Sequence, residues 1–207
     1  MKPTPISKQM DKLDPLLSFK VILMGDSGVG KTSLANRQAY KQFSNQLQPT
    51  IGTGIFKVVV PVGNFKVELN IWDTAGQDKF KSVIPMYMRD TIVCVLVAAI
   101  DSQLTIEHLD EWKALVEKDY SATVCMVAIN KTDLQGTPGA KTIEDLRESL
   151  MDKYPSIHFV SAKSNTGVEE LFSAVATECL NYQGSTRNNH HKMDLSHDSE
   201  SSGSSCC

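Results

Sequence analysis

The segment Gly25-Asp26-Ser27-Gly28-Val29-Gly30-Lys31-Thr32 constrains the fold most, because it fits G-x-x-x-x-G-K-[ST] and directly follows the apolar run Phe19 to Met24. That run reads as a buried strand feeding a phosphate-binding loop. The glycines let the backbone turn tightly and aim successive N–H groups at phosphate oxygens, and the helix that follows presents its positive N-terminal end. Ser27, Gly28, Val29, Gly30, Lys31, Thr32 and Ser33 are therefore candidate phosphate contacts. Lys31 adds a point charge for the β- and γ-phosphates, and Thr32 a hydroxyl suited to Mg²⁺, which takes few protein ligands when phosphate oxygens complete its shell. The bland alternative is a glycine-rich turn between a strand and a helix.

Three later segments narrow the ligand. Asn130-Lys131-Thr132-Asp133 follows the apolar run Thr123 to Ile129, placing it at the carboxyl end of a strand, where open α/β sheets bind ligands. The Asp133 carboxylate can accept from two guanine N–H groups. Adenine offers no such pair, and a site built around a buried acceptor rejects a ligand lacking the donors by about 10⁴ or more. Ser161-Ala162-Lys163 closes another short apolar strand, Ile157 to Val160, and brings a backbone N–H and a lysine stem towards the same base. Trp72-Asp73-Thr74-Ala75-Gly76-Gln77 ends the run Val67 to Ile71. Asp73 is then placed to hold a metal shell opposite Thr32, Gly76 can approach a γ-phosphate closely, and Gln77 can orient a water. Phosphoryl transfer asks mainly for positioning and charge stabilisation, so one amide suffices as the catalytic side chain. Thr50 offers a second hydroxyl for the metal.

The order of segments predicts a doubly wound α/β fold with a mostly parallel six-stranded sheet, one antiparallel edge strand and helices on both faces. Val58 to Val62 and Phe65 to Ile71 flank Gly63-Asn64, which reads as a hairpin turn. Ile92 to Ile100, Thr123 to Ile129 and Ile157 to Val160 read as strands buried on both faces. Helical patterns run from about Leu104 to Lys118, Thr142 to Lys153 and Gly167 to Asn181. At 207 residues the chain fits one domain, 19–182, between a flexible segment 1–18 and a tail 183–207. A net charge of -3 gives no basis for nucleic-acid binding. No cleavable signal or membrane span is read, and Lys2 in place of Gly excludes N-myristoylation. Cys94, Cys125 and Cys179 read as core thiols, which points to a reducing compartment.

Together these residues resemble the Ras superfamily of small GTPases from about Phe19 to Tyr182, and within it the Rab proteins. The resemblance implies a P-loop NTPase-type fold and a Mg²⁺-dependent GTP/GDP switch that hydrolyses GTP slowly until stimulated. It implies that the loop around Thr50 is switch I and that Gly76 to about Arg89 is switch II, both sensing the γ-phosphate. Phe43 falls where the family stacks an aromatic on guanine. Implied partners are effectors through both switches, an exchange factor, an activating protein, a GDP-dissociation inhibitor and a prenylation escort protein. The sequence also departs from the pattern: Ile55 stands where a phenylalanine is expected, with Phe56 one place later, so the aromatic trio read by many Rab effectors becomes Ile55, Trp72 and Tyr87. Asp78, Met88, Asp90 and Ala98-Ala99 also depart, which marks a divergent member. The alternatives are a Ras- or Rho-like signalling protein and a non-hydrolysing GTP-bound scaffold.

From Gln183 the composition turns to Ser, Asn, His, Gly and Asp and reads as a disordered tether ending in Cys206-Cys207. The cysteine pair admits three readings: a vicinal disulfide, a metal site shared with His190, His191 and His197, or lipid attachment. The Rab resemblance implies a geranylgeranyl group on each cysteine and residence on the cytoplasmic face of intracellular membranes, cycling with cytosol.

Overall fold

In the computed structural model, residues 16–46, 48–50, 52–75, 84–121 and 123–197 are described, with side chains to Ser185. The residues that begin and end each apolar run decide the sheet. Strands β1 (Leu16–Met24), β2 (Thr53–Val62), β3 (Phe65–Thr74), β4 (Thr91–Ala99), β5 (Val124–Asn130) and β6 (Ile157–Phe159) form one six-stranded sheet in the order β2-β3-β1-β4-β5-β6. Only β2 pairs antiparallel, with β3 across the Gly63-Asn64 turn, where Gly63 has φ 56°; the other four pairings are parallel. The expected mixed sheet is therefore the one observed.

Residues 21–24 of β1, 92–99 of β4 and 124–129 of β5 are apolar throughout because both faces are covered. In β1, Val21 and Leu23 face a core shared with helices α1 (Lys31–Tyr40) and α6 (Val168–His197). Ile22 and Met24 face a second core, shared with α2 (Ile84–Met88), α3 (Gln103–Glu107), α4 (Leu109–Asp119) and α5 (Ile143–Leu150). Cys94 and Cys179 are buried free thiols and Cys125 is a half-buried one. Burial pushes all three thiols upward, Cys125 to about 11 and Cys179 to about 12.

The structure lengthens β1 back to Leu16 and β3 on to Thr74, shortens the helix expected over 142–153 to Ile143–Leu150, and moves three further boundaries for local reasons. Strand β2 starts at Thr53 rather than Val58, because residues 53–57 pair with Asn70 to Thr74 although Gly54 weakens their apolar pattern. The single helix expected over 104–118 is interrupted at His108, whose ring reaches the carboxylate of Asp26. The last helix does not stop at Asn181 but continues to His197. No proline follows Pro155, Gly184 does not take a positive φ, and Ser185 Oγ bonds back to the Asn181 carbonyl at 3.0 Å, so nothing local ends the ladder.

Candidate functional site

The site lies at the carboxyl ends of the parallel strands, the general location for ligands in such sheets. It is a cavity of about 410 Å³ lined at one end by Ser27, Gly28, Gly30, Lys31, Thr32 and Ser33, and at the other by Asn130, Lys131, Asp133, Ala162 and Lys163. Phe43 to Asn45 and Gln48 to Thr50 form its side. Two expected contacts stand behind the wall. The Val29 side chain is fully buried in the core, and Ser161, also fully buried, touches the cavity only through Asp133. Gly76 and Gln77 lie outside the described residues, as do Cys206 and Cys207.

The phosphate end is built by one backbone trick. Gly30 caps α1 at φ 94° with no side-chain cap, so the first N–H groups of the helix stay open towards the cavity. No acidic residue stands in that first turn to oppose an anion. Lys31 is 5% exposed, and its Nζ donates to the carbonyls of Gly25 and Asp26 at 2.7 Å each. Burial lowers its pKa to about 8, against the raising influence of Asp73 and Asp26. A phosphate brought to this ammonium would therefore raise its pKa again and hold its proton.

Beside it three oxygens converge. Thr32 Oγ1 donates to Asp73 Oδ2 at 2.6 Å and lies 2.7 Å from Thr50 Oγ1, which is itself 3.5 Å from the same carboxylate oxygen. Asp73 is 1% exposed at the end of β3, and burial raises its carboxyl above the ordinary range although Thr32, Lys31 and Thr50 favour the ion. Its Oδ1 is buried with no hydrogen-bond partner among the described residues. A desolvated carboxylate with an orphaned oxygen and two hydroxyls at its side is a hard-oxygen donor set that fits Mg²⁺.

The base end depends on cross-links that motif reading did not predict. Asn130 is 2% exposed, and both halves of its amide are engaged: Nδ2 donates to the Val29 carbonyl at 2.9 Å, and Oδ1 accepts from the Ala162 N–H at 3.2 Å. It splices the phosphate loop to the 161–163 loop as well as lining the cavity. Asp133 accepts from Ser161 Oγ at 2.6 Å through Oδ1, and its Oδ2 stands 3.7 Å from Lys163 Nζ. Lys131 takes φ 64° and ties its ammonium to Asp101 at 3.2 Å, leaving its stem on the wall. Asp26 receives Trp112 Nε1 at 2.8 Å and stands 2.7 Å from His108 Nδ1, which anchors the loop to α4 and the residue before it. No spacing in the sequence announces these partners, because they are joined only by the fold.

The departure around Ile55 also resolves. Ile55 lies opposite Trp72 in the β2–β3 ladder and is 54% exposed, and the Trp72 and Tyr87 rings tilt against one another at 6.2 Å, so the three side chains are contiguous. Phe56 turns the other way and meets Tyr40 at 6.0 Å. Ile55 and Phe56 therefore stand on opposite faces of the sheet.

Comparison with known proteins agrees with this geometry. A model of the Ras family matches residues 20–181. Ras-related protein Rab-17 of Mus musculus is 38% identical over 169 residues, covering 81% of this chain and 78% of its own length. Ras-related protein Rab-13 of Canis lupus familiaris is 35% identical over 178 residues, covering 84% and 86%. Ras-related protein Rab-31 of Rattus norvegicus is 33% identical over 190 residues, covering 91% and 97%. With its phosphate loop, its Asn-Lys-x-Asp corner and its sheet order all in place, the chain belongs to the Ras family of small GTPases, as a divergent relative of the Rab proteins.

Proposed function

We propose that this GTPase is a Rab-type membrane-trafficking switch: Mg²⁺–GTP orders both switch segments, effectors bind the ordered form, and slow hydrolysis releases them. The observation that carries the reading is the cavity itself, with a phosphate-binding helix end and Thr32, Thr50 and Asp73 at one end and Asp133 at the other. Mg²⁺, when bound, neutralises charge on the β- and γ-phosphates. Thr32, Thr50 and Asp73 would hold it. Lys31 pairs with the same phosphates, the open N–H groups of α1 fix their orientation, and Asp133 accepts the two guanine donors. Gln77 would align the attacking water and Gly76 would sense the γ-phosphate, which makes the lifetime of the active state depend on the segment that lies between Trp72 and Tyr87 in the sequence.

The contiguous Ile55, Trp72 and Tyr87 surface is the candidate effector contact. The exposed aliphatic at position 55 selects partners by shape rather than by ring stacking. Exchange factor, activating protein, GDP-dissociation inhibitor and prenylation escort protein are the regulators such a switch requires. Its place is the cytoplasmic face of an intracellular membrane, held by geranylgeranyl groups on Cys206 and Cys207. No described helix is long and apolar enough to cross a membrane. The base assignment is tested with Asp133→Asn. Xanthine carries a carbonyl where guanine carries an amine, so the variant is expected to lose GTP affinity by about a hundredfold or more and to gain xanthosine triphosphate. Unchanged preference for GTP in a competition assay rejects Asp133 as the acceptor.

A further inference from the structure

Arg37 sits in the last turn of α1 and makes contacts that neither the phosphate nor the metal end uses. Its Nε donates to the Ala162 carbonyl at 2.7 Å, one terminal nitrogen to the Lys163 carbonyl at 3.0 Å, and the other to the Lys41 carbonyl at 2.7 Å. Its Cζ stands 6.0 Å from the centre of the Phe43 ring. Lys41 terminates α1 at φ 56°, with its N–H returned to the Arg37 carbonyl at 3.0 Å, and Phe43 follows two residues later. All three hydrogen-bond acceptors are backbone carbonyls, so the guanidinium serves as a rigid fork and not as half of an ion pair. One edge of the fork holds the Ala162–Lys163 wall of the base end, and the other holds the turn that carries Phe43.

We infer that Arg37 is a positioning residue for the purine base: it locks the Phe43 wall to the Ala162–Lys163 wall and so sets how long the nucleotide stays bound. The inference rests on the guanine-nucleotide reading of the cavity. Lysine retains the charge and the helix propensity but offers a single ammonium, which cannot span two carbonyls on one edge and a third on the other. The side-chain hydrogen bonds of Lys31, Thr32 and Asp73 share no partner with Arg37, so its loss acts first on the base end.

The test is spontaneous release of a fluorescent GDP from the full-length protein, with Mg²⁺ and with chelator, for wild type, Arg37→Lys, Arg37→Gln and Glu169→Gln. Both Arg37 variants are expected to release GDP about tenfold faster, a loss of two to three hydrogen bonds, and by the same factor with and without Mg²⁺. Glu169→Gln removes only the exposed partner of the Lys41 ammonium, at 2.6 Å, and is expected to release at the wild-type rate. A merely structural arginine would lower the thermal midpoint of the GDP-bound protein and leave release within twofold of wild type, which overturns the inference. Acceleration that disappears in chelator also overturns it, because the effect would then run through the metal. Wild type that holds no GDP refutes the guanine reading itself, and the inference with it.

Discussion

At the scale of single residues, the site is a set of charges held in the wrong medium. Lys31 and Asp73 are both desolvated, and each is pushed towards its neutral form, which is unfavourable for the empty protein and useful once phosphate and metal arrive. The sign of the pH dependence follows. The folded pKa of Lys31, about 8, lies below the ordinary 10.5, so between these values the unfolded chain binds more protons than the folded one. Stability of the nucleotide-free protein therefore rises with pH across that window, and the burden removed is about 3 kcal/mol. Nucleotide reverses the shift, because phosphate draws the proton back onto Lys31. Binding at pH 8 to 9 is expected to take up a fraction of a proton, read by calorimetry in buffers of different ionisation enthalpy, and affinity is expected to fall as pH rises through 8. Equal heats in all buffers would show that Lys31 does not titrate on binding. Gln77 carries a second prediction at this scale. Arg37, spent on three carbonyls, offers no arginine finger in cis. Intrinsic hydrolysis is therefore expected to be slow, with an activating partner raising it by about 10³ to 10⁵. In single-turnover phosphate release without an activator, Gln77→Leu should fall clearly below wild type.

At the scale of elements, the phosphate loop, the Asn-Lys-x-Asp corner and the 161–163 loop are three strand exits, and Asn130 binds them into one cradle. Its two bonds, of 2.9 and 3.2 Å, are buried and directed at backbone groups. A methyl on Gly30 would stand 2.4 Å from the same amide nitrogen, which is why the loop leaves that position bare. Asn130→Ala leaves the Val29 carbonyl and the Ala162 N–H without these bonds, and is expected to destabilise the domain by about 2 to 4 kcal/mol. Denaturant unfolding of the GDP form measures it, and faster nucleotide release should accompany the loss. This element was legible as a motif and not as a brace. The sequence placed Asn130 at the end of a strand beside Asp133, and that much stands. What spacing does not contain is the return path of two other strands to within 3.2 Å of one amide. The same reason hid Arg37 and the Asp26–Trp112 link, whose partners are 125 and 86 residues away. By contrast, the existence of the parallel strands followed directly from apolar runs, because a strand buried on both faces must be apolar on both.

At the scale of the whole molecule, the two ends of the chain answer to different physics. The nucleotide domain is specified by burial, and its mostly parallel sheet with one antiparallel edge strand could be read from the run of strands and helices. The end of α6 could not, because Ser, Asn and His neither favour nor forbid a helix once a packed one has nucleated it, and propagation adds a bond per residue without a new nucleus. The backbone thus continues as helix to His197, beyond Cys179, the last fully buried core residue of that helix among the described side chains. Over this stretch Arg187 and Lys192 are opposed by Asp194, Asp198 and Glu200, so no polybasic patch supplements a lipid. Membrane affinity must then come from burying acyl carbons, at about 0.8 kcal/mol per CH₂, and one chain leaves attachment reversible where two make it stable. Cys206→Ser and Cys207→Ser singly are expected to give weak, rapidly exchanging membrane association, and the double substitution a fully soluble protein with GTP binding intact. Fractionation together with fluorescence recovery after photobleaching measures both. If the double variant stays on membranes, a protein partner and not lipid provides the anchor, and the charge-poor tail is then a spacer with no part in attachment.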